Sequence, residues 1–168
     1  MIDFTPMTDA AFPAWQRYFV AEYAQEIVEN YRLSEEKALR QAALDVEHSF
    51  PDGAHTRTQV LVNLMHRADG GEQHIGYLWY TPNEAMRSVY ICDFYLFPDC
   101  RGQGFGKAAM RALEQRLAQQ GFSEIKLRVA AHNDRARRVY DACGFEVTGI
   151  NMNKVLDATH SDGLENNA

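Results

Sequence analysis

The sequence predicts an α/β fold: a mixed, mostly antiparallel sheet flanked by helices. Three observations predict it. Apolar residues recur at helical spacing near the start, two strand-like runs flank a glycine-rich turn mid-chain, and strand-length runs alternate with helical ones thereafter.

Phe12, Trp15, Phe19, Tyr23 and Ile27 stand three or four apart, so residues 8–31 read as a helix. Pro13 lies near its start, where a missing amide donor is tolerated. Ser34 is an N-cap for a second helix, with Glu35 and Glu36 favourable at its positive end. That helix fades by His48, ahead of Ser49-Phe50-Pro51-Asp52-Gly53, a loop by composition.

Residues 59–66 and 73–80 read as strands around Ala68-Asp69-Gly70-Gly71, a hairpin signal. After the turn at Thr81-Pro82-Asn83, a third strand runs over 88–97 and stops at Pro98. A helix over 104–120 puts Gly106, Met110, Leu113 and Leu117 on one face, and Gly121 ends it. A strand over 124–130, a short helix over 133–142 and a strand region over 145–156 complete the order. The crossover between the strands at 88 and 124 is expected to be parallel and right-handed. The tail from Asp157 is polar, and its composition predicts disorder.

Bulk properties exclude several classes. The net charge of −6 lacks the basic footprint of a nucleic-acid binder. No segment approaches the ~20 apolar residues of a membrane-spanning helix. The start lacks the basic and apolar regions of a secretory signal, and Cys92, Cys100 and Cys143 form no C-x-x-C pair. A cytoplasmic protein is the expectation. The six histidines show no metal-ligand spacing, so no metal is expected.

Chemistry concentrates in Arg101-Gly102-Gln103-Gly104-Phe105-Gly106-Lys107, between a buried strand and an amphipathic helix. Glycines let a ligand approach the backbone, and the first amides of a helix have no internal partner, so the turn suits a phosphate. The plain alternative is that these glycines make only a tight turn and a close helix–sheet contact. A Walker P-loop fails: Arg101 stands where its first glycine should be, and Ala108 follows the Gly-Lys pair. A dinucleotide fingerprint matches nominally at Gly104-x-Gly106-x-x-Ala109. It lies too late in the chain for a doubly wound domain, and Glu124 is at the wrong end of its strand for a ribose contact. The third pattern, [Q/R]-x-x-G-x-[G/A], is met by Arg101, Gly104 and Gly106.

A second constellation follows. Residues 133–145 read N-D-R-A-R-R-V-Y-D-A-C-G-F. Asn133 and Tyr140 are seven apart, about two helical turns, so they share a face, with small Ala136 between them. Taken alone, Asn133 is as readily an N-cap and Tyr140 a core aromatic.

Together the two motifs resemble the GNAT family of N-acetyltransferases, over roughly residues 73–156. The resemblance implies one acetyltransferase domain over 1–157, with a helical acceptor-side region at 1–50, an acetyl-CoA-binding core at 73–156 and a flexible tail at 158–168. It implies acetyl-CoA as co-substrate, an amine acceptor as the other partner, and a monomer or homodimer. The residues 101–107 would hold the pyrophosphate. Phe94, Tyr95 and Leu96 on a splayed strand, with Asn133, would hold the pantetheine arm. Tyr140 would be the general acid. The base is not carried over: Asp93, an acid inside an apolar strand, is either paired structurally or the base, acting through water. Glu22 and Glu26 on the first helix could line an acceptor site, though solvated helix charges explain them as well. A non-catalytic acyl-CoA sensor using the same cradle is the rival reading.

Overall fold

The computed structural model describes residues 1–156; the tail expected beyond them, 158–168, lies outside the described residues. The elements in order are β1 (Ile2–Pro6), α1 (Phe12–Tyr31), α2 (Glu35–Ser49), β2 (Val60–Ala68), β3 (Gly71–Asn83), β4 (Ser88–Leu96), α3 (Phe105–Gln119), β5 (Glu124–Leu127) and α4 (Asp134–Ala142). The strands form one sheet in the order β1-β2-β3-β4-β5. All neighbours are antiparallel except β4 and β5, which are parallel. The mixed, mostly antiparallel α/β architecture expected from the sequence is the one observed.

Local chemistry explains the boundaries. Ser34 caps α2 by accepting the Lys37 amide at 3.3 Å. In the β2–β3 hairpin Ala68 faces Gly71, leaving the two-residue Asp69-Gly70 turn that such sequences favour.

The sheet buries both faces. Val62, Leu64, Leu78, Val89 and Ile91 pack with Met110, Leu113 and Leu117 of α3 and with Tyr140 of α4. Leu61 and Trp79 pack on the other side with Trp15 and Phe19 of α1, Val46 of α2, and Phe50. Trp15, fully buried, meets Trp79 edge-on at 5.7 Å and Phe50 edge-on at 5.3 Å. Each such side chain is worth on the order of 1.5–3 kcal/mol against exposure.

Two elements differ from the expectation. β1 was not foreseen: it is a five-residue edge strand ending at Pro6, and it exists by pairing with β2 some sixty residues away. Conversely, residues 145–156 form no strand. Gly149, Asn151 and Asn153 interrupt the run, and β-propensity needs a neighbouring strand to act on. Ile150 and Met152 are 79% and 90% exposed there.

One irregularity shapes the site. Trp79 pairs with Asp93 and Tyr80 with Ile91, so Cys92 is an extra residue on β4, a bulge. Val89 and Ile91 face α3, as do Phe94 and Leu96, whereas Cys92 and Asp93 both turn toward α1. Beyond Ile91, β4 also loses its parallel partner, because the β5 ladder ends at Leu127. The edge from Cys92 to Leu96 is therefore paired only to β3.

Candidate active site

The glycine turn sits at the end of that open edge. After Leu96 comes a single 3-10 turn, Pro98–Cys100, and α3 starts at Phe105. Gly102 and Gly104 have φ of +74° and +83°, a region L-residues avoid, and an added Cβ at either would meet nothing within 4 Å. They are glycine for conformation, and the space over them is open. Gly106 is different: a Cβ there would lie 3.3 Å from Val139 and 3.7 Å from Leu96, so it seats α3 against α4.

The consequence is a row of unused donors. The first helical hydrogen bond is Ala108 N–H to Gly104 C=O at 3.1 Å. Among the described residues, none of the six amides from Gly102 to Lys107 has a hydrogen-bond acceptor. Consecutive free amides at a helix start make an anion-binding nest.

The side chains of Arg101, Gln103 and Phe105 are engaged elsewhere. The Arg101 Nε donates to the Leu96 carbonyl at 2.9 Å, and its guanidinium lies 5.1 Å from the Tyr95 ring centre, bracing the end of β4. The Gln103 amide donates to the Asp99 carbonyl at 2.9 Å. The Phe105 ring meets the His66 ring at a tilt, with centres 4.6 Å apart. It lines an open cleft of about 410 Å³ with Met1, Ile2, His66, Gln103 and Gly104. A larger depression beside Glu84, Arg87 and Phe122 is lined by none of the residues singled out in the sequence.

Asn133 and Tyr140 occupy the two ends of α4. The Asn133 Oδ1 accepts the Ala136 amide at 3.2 Å, so the residue is the N-cap of α4. Tyr140 is only 8% exposed, with its ring 6.4 Å from Phe94 and 5.5 Å from Phe145. Its hydroxyl has no hydrogen-bond partner among the described residues. Burial, and then the charge of Asp93, push its pKa above the ordinary tyrosine value, so it stays protonated at neutral pH.

Asp93 lies across β4 from Tyr140's partner Phe94. It is crowded by protein yet keeps some accessible surface. The indole N–H of Trp15 donates to one of its oxygens at 3.4 Å and the Tyr18 hydroxyl to the other at 3.2 Å. Burial pushes its pKa up to about 7; the two donors pull it down, and Glu26 and Glu22 push it up again. Glu22, Glu26 and Glu29, four and three apart, share a face of α1. Glu29 lies 3.4 Å from His132, and Arg128 favours the charge of Glu26. The acids of α1 thus meet the basic groups that follow β5.

In the sequence Trp15 and Tyr18 read only as aromatics of the first helix that fit a cationic amine or an ordinary core equally well, with no link to Asp93. Their spacing of three and their polar tips on a core-facing stripe were the available signal. Gly76 was also unforeseen: a Cβ there would come within van der Waals overlap of the Tyr95 carbonyl, so β3 can approach the end of β4 only with glycine. Cys100 accepts a weak bond from Gln73, Cys92 touches Thr81, and His132 is engaged by Glu29, so among the described residues no cysteine is paired with a histidine. Among the described residues no three His, Cys, Asp or Glu side chains converge as a metal site, and no helix is long and apolar enough to cross a membrane.

Comparison with known proteins bears on this arrangement. A profile of the acetyltransferase (GNAT) family matches residues 8–145. The uncharacterized N-acetyltransferase YycN of Bacillus subtilis is 31% identical over 154 residues, spanning 90% of this chain and 97% of that protein. Its crystal structure superposes with a TM-score of 0.84, covering 93% of this chain and 99% of the other at 30% identity. The uncharacterized N-acetyltransferase YdgE, also of Bacillus subtilis, is 28% identical over 152 residues, spanning 89% and 95%. A Vibrio cholerae spermidine N-acetyltransferase, solved with CoA and spermine, shares the fold at 17% identity and a TM-score of 0.60, covering 88% of this chain and 82% of that one.

Proposed function

The chain belongs to the acetyltransferase (GNAT) family, and on that premise we propose that it moves the acetyl group of acetyl-CoA directly to an amine. The observation that carries this reading is the run of free amides from Gly102 to Lys107 beside an open strand edge. The nest suits a pyrophosphate, and the edge at Phe94, Tyr95 and Leu96 suits an extended amide-bearing arm added like a strand. Arg101 and Gln103 brace the turn, Lys107 adds charge, and the Asn133 amide group remains available as a donor. The acceptor side is formed by residues 1–50, and the donor side by 73–156 within one unit over 1–157.

The chemistry is direct substitution. A new C–N bond forms as the C–S bond breaks, with no covalent enzyme intermediate. An alkylamine has a pKa of about 10.4, so at neutral pH nearly all of it must lose a proton before attack. Asp93 accepts that proton through water; a carboxylate poised near 7 is both ionised and basic enough at that pH. Tyr140 gives its proton to the leaving thiolate. Its raised pKa keeps the proton present but weakens the driving force, so its effect belongs at the lower end of general-acid contributions. A main-chain amide of the free β4 edge stabilises the charge developing on the carbonyl oxygen.

The test is a thiol-release screen with acetyl-CoA against polyamines, aminoglycosides, amino acids and peptides. Release of CoA thiol with one amine class, abolished in Asp93→Asn, is the expected result. Saturable acetyl-CoA binding without thiol release across the panel would instead make the protein a sensor.

A further inference from the structure

The base assigned above is held by two residues of α1 that the reaction itself does not require. Trp15 and Tyr18 are three apart, and each gives one donor to a different oxygen of Asp93, at 3.4 and 3.2 Å. Neither is free to move. Trp15 is fully buried against Phe19, Phe50 and Trp79. Tyr18 is held between the Tyr95 ring at 4.1 Å and the Tyr77 ring at 5.4 Å. We propose that Tyr18 and Trp15 are positioning residues, which fix the orientation of the Asp93 carboxyl and set the pH at which it is ionised. The proposal rests on the reading of Asp93 as base.

The electrostatic surroundings make this control matter. Glu22 and Glu26 face Asp93 from α1, and both disfavour its charge. Tyr77 of β3, Cys92 and Tyr95 of β4, and Tyr140 of α4 are the other titratable groups around it. None of these is a cation. The two donors are therefore the groups that offset desolvation and like charge, because hydrogen bonds given to the carboxylate are stronger than those given to the protonated acid. Burial pushes the Tyr18 hydroxyl far above its ordinary value, so it remains a donor throughout the accessible range.

The experiment measures the Asp93 carboxyl by carbon NMR across pH, assigned with Asp93→Asn, alongside the pH dependence of kcat/KM with the amine found in the screen. In the unmodified protein the carboxyl should titrate near 7. Tyr18→Phe should raise the midpoint by about one pH unit, lowering the rate about tenfold on the acid side of the profile. Trp15→Phe, with the longer bond, should move it the same way by less; it also serves if Tyr18→Phe does not fold. Tyr77→Phe removes a hydroxyl from the same aromatic stack without touching Asp93 and should leave the midpoint in place. An unmoved midpoint in Tyr18→Phe and Trp15→Phe, or an equal shift in Tyr77→Phe, overturns the proposal. A carboxyl midpoint that moves while the rate profile stays fixed supports the positioning role and removes Asp93 as base.

Discussion

On the side of β4 facing α3 and α4, the polar groups offered to a ligand are main-chain amides. On the side facing α1, they are side chains. The first set comes from six consecutive residues, with Gly102 and Gly104 setting their direction. The second gathers Trp15, Tyr18, Glu22 and Glu26 around Asp93, which lies more than sixty positions further along. A main-chain cradle does not titrate, and it recognises a shape and a charge that never vary. A side-chain pocket can be retuned one residue at a time. The difference fits a donor side built for one co-substrate and an acceptor side free to diverge. The bulge at Cys92 joins them, since it turns Asp93 toward α1 while Phe94 stays against Tyr140.

The largest effect is expected at the glycine turn. Gly104→Asp places a carboxylate and a disfavoured φ where the anion would lie; the strain alone is about 1–2 kcal/mol. With the lost amide bonds and the repulsion, acetyl-CoA affinity should fall at least a hundredfold by calorimetry, while the folded far-UV spectrum persists. Asp93→Asn should do the opposite. Acetyl-CoA affinity should hold, and kcat should fall about a hundredfold or more in single-turnover assays.

The same substitution has a stability signature. Asp93 keeps its proton more tightly in the folded state, about 7 against an ordinary 3.8. Its contribution is therefore fully present below about pH 4 and is lost as pH rises through 7. The melting temperature of the unmodified protein should fall between about pH 4 and pH 7, and Asp93→Asn should flatten that fall.

Smaller effects sharpen the contrast. Tyr140→Phe should lower kcat about a hundredfold or less at pH 7, with a fixed acid limb in the pH profile. Glu26→Gln removes a like charge near Asp93 and should lower the carboxyl midpoint by a few tenths of a unit. An unmoved midpoint there would mean that the Glu26 charge does not reach Asp93.

The two sides were unequally legible in the sequence. The cradle and α4 follow from local spacing: glycines at a strand–helix junction, and Asn133 to Phe145 in one helix and its end. The hairpin was equally local, because Asp69-Gly70 defines its own turn. Asp93 could be marked as an anomaly in an apolar strand, but its donors come from α1, and no spacing rule links Tyr18 to position 93. β1 and Gly76 were missed for the same reason, since each is defined by a neighbour distant in sequence. Residues 145–156 show the converse error, where strand-like composition finds no strand beside it.

On the proposed reading, main-chain amides of residues 102–107 receive the anionic part of acetyl-CoA. Amide NMR during titration with CoA, and separately with inorganic pyrophosphate, tests it most directly. The Gly102 to Lys107 amide protons should move downfield with both ligands. Shifts confined to other residues, with these six unmoved at saturation, would contradict it.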